Sequence, residues 1–175
     1  MQYKQSILFQ ILILFVLSSG LLGCQSPSPL QVSSTFPPLQ FSGERAAALE
    51  KQFVHQFPLR ASGQPNSPRA AAWLKGQLIK KGWKCQIDSW EVVNYSKPVT
   101  LRNVVAMLPG KSTREIVVMA HHDQSPATVE GADNDGSGIS LLLHLSEIFG
   151  TEQPLPYTLV FVATDGEEGQ VLIMV

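Results

Sequence analysis

The spacing of apolar residues along this chain changes period at its prolines and glycines, and each change predicts an element. Over Glu44–Gln56 the apolar positions Ala46, Leu49, Phe53 and Val54 recur at helical spacing. Phe57–Pro68 is interrupted by Pro58, Gly63, Pro65 and Pro68 and reads as loop. Ser67 as N-cap, with Pro68 in the first helical position, predicts a second helix that Gly82 ends. Trp83–Val93 alternates through Trp83, Cys85, Ile87, Trp90 and Val92 as a strand does, with a slip near Ser89. Asn103–Leu108 and Ile116–Ala120 are short apolar runs joined through Pro109-Gly110, and are expected to be neighbouring antiparallel strands. Ile139–Phe149 has the pattern of a helix with Leu141, Leu142, Leu145 and Phe149 turned inward. Tyr157–Ala163 is apolar without interruption, the mark of a strand buried on both faces.

Helices and strands interleaved in this order predict an α/β fold, a mixed β-sheet flanked by helices. The N-terminus is a separate matter. Lys4 precedes the apolar run Ile7–Leu17, which is too short to span a bilayer as about 20 residues would. The run leads to Leu21-Leu22-Gly23-Cys24, which resembles the lipobox of bacterial lipoproteins. That resemblance implies a signal peptide over 1–23, cleavage before Cys24 and a lipid on its sulfur. The protein would then be exported and membrane-anchored, facing the periplasm or the cell exterior. Residues 24–42, rich in Pro and Ser, read as a tether, and the folded domain occupies 43–175.

Charge and cysteine content narrow the chemistry. A formal net charge of −1 gives no basic patch for nucleic acid, so no nucleic-acid partner is expected. With Cys24 acylated, Cys85 is the one remaining thiol; no internal disulfide can form, and Cys85 reads as a half-buried core residue.

Three polar segments follow apolar runs. His121, in A-H-H-D, follows Ile116–Ala120 directly, so it lies at the carboxyl end of a strand, where open α/β sheets bind ligands. Asp123, two residues on, can accept the second ring N–H of a metal-ligating histidine and fix its tautomer. His122 points to the other face. Asp133-Asn134-Asp135-Gly136-Ser137-Gly138 admits two readings: a calcium loop lacking the acid at position 12, or a helix cap supplied by Asp135 or Ser137. Glu167 and Glu168 follow Tyr157–Ala163, at the mouth of a buried strand. There two adjacent acids can divide the work, one binding metal and one taking a proton from water. His55 and His144 lie on helices away from these segments and read as structural.

The order A-H-x-D, then G-A-x-x-x-G-S-G opening a helix, then F-V-A-x-D-G-E-E resembles metallopeptidase family 28. These are zinc-dependent aminopeptidases related to glutaminyl cyclases. The upstream segments F-P-L-R-A-S-G-Q-P-N-S and N-V-V-A-M-L-P-G resemble the family too, so the likeness runs from about Phe57 to Glu168. It implies the α/β/α sandwich of the zinc exopeptidases and two zinc ions. It also implies His121 as a zinc ligand, Asp123 as the carboxylate orienting it, Glu167 as general base and Glu168 as ligand of the second zinc. The substrate would be a peptide, cleaved after its N-terminal residue.

Two departures from the family pattern stand out. The position of the bridging aspartate holds Asn134, with Asp133 and Asp135 on either side as substitute ligands. The family's remaining ligands, an Asp and a His, lie beyond the glutamate pair, where this sequence has only Gly169-Gln170-Val171-Leu172-Ile173-Met174-Val175. The expectation is therefore a zinc exopeptidase domain incomplete at its C-terminus and impaired in activity. A tethered, non-catalytic binding or structural protein and a glutaminyl cyclase are the alternatives.

Overall fold

The structure, a computed structural model, describes residues 40–94, 97–151 and 154–168. The leader, the lipobox with Cys24, the tether up to residue 39 and the segment 169–175 lie outside the described residues.

Helix α1 spans Gly43–Gln56 and opens on Ser42, whose hydroxyl accepts the Arg45 N–H. It buries the four apolar residues that its sequence period singles out: Ala46, Leu49, Phe53 and Val54. Helix α2 spans Asn66–Lys80, so it starts one residue before Ser67, and no side chain caps it. Ser67 is instead fully buried and donates its hydroxyl to Asp165 Oδ2, at 3.2 Å. Its polar group is used in a tertiary contact rather than at the helix end. Gly82 follows the helix, as expected, and strand β1 runs over Lys84–Asn94. Trp83 just precedes it, buried, with its indole N–H donated to Ser146 O and its ring 4.3 Å from that of Phe161.

Strand β2, Lys97–Leu108, pairs antiparallel with β1 along its whole length, from Lys84↔Met107 to Asn94↔Lys97. Strand β3 is Ser112–His121, helix α3 is Ser137–Thr151 and strand β4 is Tyr157–Thr164. The sheet order is β1-β2-β4-β3. The two runs joined by Pro109-Gly110 are therefore not neighbours: β4 lies between them, antiparallel to β2 and parallel to β3. The connection steps over the start of β4, with Gly110 N–H donated to Thr158 Oγ1, Lys111 N–H to Leu155 O and Ser112 N–H to Pro156 O. Only glycine fits at the crossing, since a Cβ on Gly110 would stand 2.2 Å from the carbonyl carbon of Tyr157. The strand buried on both faces takes the inner position, as its unbroken apolar run requires: Leu159, Val160 and Phe161 are all buried.

One core sits between the sheet and the helices. Val104, Ala106 and Leu108 of β2 face it beside their register partners Ala163, Phe161 and Leu159 of β4. Leu49, Phe53 and Val54 of α1 and Ala70, Ala71, Leu74 and Leu78 of α2 complete it with Ile139, Leu142 and Leu143 of α3. Leu141, expected to point inward, is exposed, because α3 packs through the stripe Ile139, Leu142, Leu143 and Ser146 at i, i+3, i+4 and i+7. Among the described residues all three helices share this one core, while β3, at the sheet edge, exposes Ile116, Val117 and Met119. Cys85 is half-buried, and burial pushes its thiol up to about 11, which keeps it protonated and inert at neutral pH.

Candidate metal centre

Strands β3 and β4 end side by side, His121 against Thr164, so the loops leaving them share one end of the sheet. There His121 comes together with Glu167 and Glu168, whose ligand atoms lie within 4.8 Å of one another. No other group of three or more metal-ligating side chains forms among the described residues.

The loop after β4 turns sharply to bring the glutamates back. Gly166 adopts φ +87°, and a Cβ there would meet Leu101 Cδ1 at 2.9 Å, so the turn needs glycine. The returning backbone rests on Asp123, which is fully buried. Its Oδ2 accepts the Glu168 N–H at 3.0 Å and its Oδ1 the Glu167 N–H at 3.4 Å. The same carboxylate lies 3.4 Å from His121 Nδ1, and the backbone carbonyl of Asp123 lies 3.2 Å from it. One buried carboxylate thus fixes the histidine and both glutamates relative to each other.

The donor set suits a cation. Oxygens of Asp123 on the Nδ1 side of His121 favour a proton there whenever Nε2 is given to a cation. Nε2 faces Asn134 Oδ1 at 2.8 Å and Glu167 Oε2 at 3.7 Å, both acceptors. An imidazole nitrogen and carboxylate oxygens converging within 4.8 Å of one another match the ligand chemistry of zinc. Glu168 lines the same space, and its Oε1 accepts a hydrogen bond from the Asn134 amide.

The flanking acids stand elsewhere. Asp135 Oδ1 accepts the Gly138 N–H at 2.9 Å and its Oδ2 the His121 N–H at 3.1 Å, so it caps α3 and ties it to the end of β3. Asp133 is exposed. Neither joins the cluster; Asn134 does. The calcium-loop reading loses its geometry with them, and the capping reading holds for Asp135. His122 is fully buried, with Nε2 on Arg102 O at 2.8 Å, facing away from the cluster as expected. His144 packs between Ser42 N and Glu147, also as expected.

Behind the cluster lie residues that sequence reasoning did not single out. Arg60 is fully buried, and its guanidinium donates to His122 O, Gln124 Oε1, Glu130 O and Gly131 O while lying 4.7 Å over the Phe53 ring. Burial lowers its pKa to about 10, opposed by the carboxylates of Asp123 and Asp135, so it stays charged at neutral pH. Ser62 donates to Asp165 Oδ1 at 2.6 Å and stands 3.3 Å from Asp123 Oδ2. Asp165 also accepts the Ser67 hydroxyl and the Arg102 N–H, and receives Asn103 Oδ1 on its own N–H. The signal for Arg60 and Ser62 was their place in the family-like segment F-P-L-R-A-S-G-Q-P-N-S, a Pro- and Gly-rich loop that assigned them no role.

Comparisons with known proteins bear on the fold and on the segment that carries the cluster. The family model described as peptidase family M28 matches residues 103–172, which include β3, β4 and every residue of the cluster. The alkaline phosphatase isozyme conversion protein of Escherichia coli (strain K12) is 26% identical to this chain, over 80% of this chain and 45% of that protein. Leucine aminopeptidase 1 of Grosmannia clavigera is 32% identical, over 74% of this chain and 35% of that protein. Among solved structures, a glutaminyl cyclase of Porphyromonas gingivalis superposes with a TM-score of 0.68 at 28% identity, covering 73% of this chain and 46% of that one. This chain spans less than half the length of each of these relatives. Fold, sheet end and motif order thus agree with a match to the model of peptidase family M28 over residues 103–172.

Proposed function

We propose that this chain carries the site of a zinc-dependent exopeptidase of the aminopeptidase type, acting on the N-terminal bond of peptides. The observation that carries the reading is the convergence of His121, Glu167 and Glu168 at the carboxyl ends of β3 and β4, all three held by the buried Asp123. His121 Nε2 and a Glu168 oxygen would hold the metal. Zinc, when bound, polarises a scissile carbonyl and makes water a stronger acid. The chain's own residues do the rest. Glu167, with its side chain 60% exposed and Oε2 3.7 Å from His121 Nε2, is open to solvent and substrate, and takes the proton of the attacking water. Asp123 keeps the His121 proton on Nδ1, so that the lone pair stays directed at the metal.

Low turnover is part of this proposal. Its support is Asn134, a neutral amide at the centre of the ligand cluster. The test is zinc-dependent hydrolysis of aminoacyl anilides by the purified chain. A slow rate that falls at least about 100-fold in Glu167→Gln supports the reading; a rate indifferent to zinc and to Glu167 refutes it.

A second reading is cyclisation of N-terminal glutamine, favoured by the likeness to the Porphyromonas gingivalis glutaminyl cyclase. Ammonia release from peptides beginning with Gln, exceeding anilide hydrolysis, would select it. Zinc binding without either turnover would mark a tethered binding protein instead. Anchoring is proposed on the lipobox-like Leu21–Cys24: Cys24→Ser should move the protein from the membrane to the soluble fraction or block its processing.

A further inference from the structure

We propose that Asn134 limits this site to at most one divalent cation, on the His121 side, by holding Glu168 through its side-chain amide; an aspartate at 134 would create room for a second. The inference rests on the zinc reading above and deepens it.

The geometry is specific to the carboxamide. Asn134 reaches between two ligands that come from different loops, His121 after β3 and Glu168 after β4. Its Oδ1 lies 2.8 Å from His121 Nε2, and its amide nitrogen donates to Glu168 Oε1. A carboxylate only accepts, so the NH2 end must be the one facing Glu168. That end has no lone pair to give a metal. One oxygen of the side chain therefore remains for a cation, and it faces His121. Glu168 Oε1 is meanwhile taken by that hydrogen bond, which leaves Oε2 as the one oxygen it can offer to a cation shared with His121.

An aspartate in the same place reverses both statements. Its second oxygen would face the Glu168 carboxylate, and two like charges at hydrogen-bonding range are relieved by a shared proton or, where zinc is present, by a cation between them. The neighbouring acids do not supply this charge, because Asp135 is committed to the start of α3 and to the His121 N–H, and Asp133 is exposed.

The experiment is calorimetric zinc titration of the purified full chain and of Asn134→Asp, with folding checked by circular dichroism and His121→Ala in each background to locate the ion. The expected result is at most one equivalent in the unmodified chain. Asn134→Asp should show either a second equivalent or at least tenfold tighter binding. Two tight equivalents in the unmodified chain would overturn the proposal without needing any variant. So would an Asn134→Asp protein that is folded and binds within threefold of the unmodified chain. In both of those cases the zinc reading survives. If only Asn134→Asp binds zinc, the role of Asn134 stands and the zinc-dependent reading of this chain falls. If neither protein binds, both fall.

Discussion

Arg60→Met is the most demanding test of how the metal loop is held. The guanidinium of Arg60 spends four N–H···O hydrogen bonds on His122 O, Gln124 Oε1, Glu130 O and Gly131 O, and is itself fully buried. Methionine has similar length and no donor, so it fills the volume and leaves three acceptors unpaired, while Gly131 O keeps the Gly136 N–H. A buried acceptor left without its partner costs about 1–3 kcal/mol. Taking the low end for each, because water can reach some of them, gives a loss of about 3 kcal/mol. Loss of the contact with the Phe53 ring, 4.7 Å away, adds about 0.5–2 kcal/mol. A net stability of about 5–15 kcal/mol would be cut by about a quarter or more, and the melting temperature should fall by about 10–15 °C. Arg60→Lys keeps three donors at best and should lie between. Arg69→Met is the control, since Arg69 makes only an exposed bond to Asn66 Oδ1; it should change stability by less than about 0.5 kcal/mol. Urea denaturation of the three variants measures the series. An Arg60→Met protein within 0.5 kcal/mol of the parent, a margin of about one ordinary surface substitution, would refute the reasoning.

Gly166→Ala places a Cβ at positive φ and against Leu101, so it should cost about 1–2 kcal/mol in a thermal melt and weaken zinc binding by displacing Glu167 and Glu168. Glu147 gathers Arg45, Lys81 and His144, and the Arg45 hydrogen bonds foremost hold its carboxyl at about 2. Because this folded-state value lies below the ordinary 4.5, the stability it contributes is complete above about pH 4.5 and is lost as pH falls toward 2. Glu147→Gln should flatten that acid limb and lower stability at pH 7 by about 1 kcal/mol, as read by denaturation at a series of pH values. Asp123→Asn, which keeps only one of the two acceptor oxygens, should reduce zinc affinity by about 10–100-fold, as seen by metal titration.

The parts of the site that sequence made legible are those set locally. An apolar run followed at once by His121 places that histidine at a strand end, and the unbroken Tyr157–Ala163 run requires an inner strand, which puts Glu167 and Glu168 at the same end. Asp123 lies two positions after His121, and that spacing alone suffices for their contact. What was not legible depends on contacts distant in sequence. Nothing in Asn103–Ala120 says that a strand some forty residues later will be inserted between β2 and β3; that follows from the burial demand of β4 and the Gly110 crossing. Ser67 carries the signature of an N-cap, yet its hydroxyl is claimed by Asp165, 98 residues away. Leu141 is apolar and lies within one residue of the packed stripe, and only the helix rotation decides that it is exposed. Arg60 is a single cation in a loop, and its four carbonyl and amide acceptors come from a segment more than sixty residues on. Among Asp133, Asn134 and Asp135, composition favours the two acids as ligands, whereas the cap of α3 takes Asp135 and the backbone turns Asn134 toward the cluster.

The measurement that bears most directly on the account is the location of zinc in crystals of the chain, by anomalous scattering at the zinc edge. The account expects a peak at about 2.0–2.2 Å from both His121 Nε2 and a Glu168 carboxylate oxygen, with Asp123 still bonded to His121 Nδ1. A peak held by other residues, or no peak between His121 and Glu168 in crystals soaked with excess zinc, would contradict it.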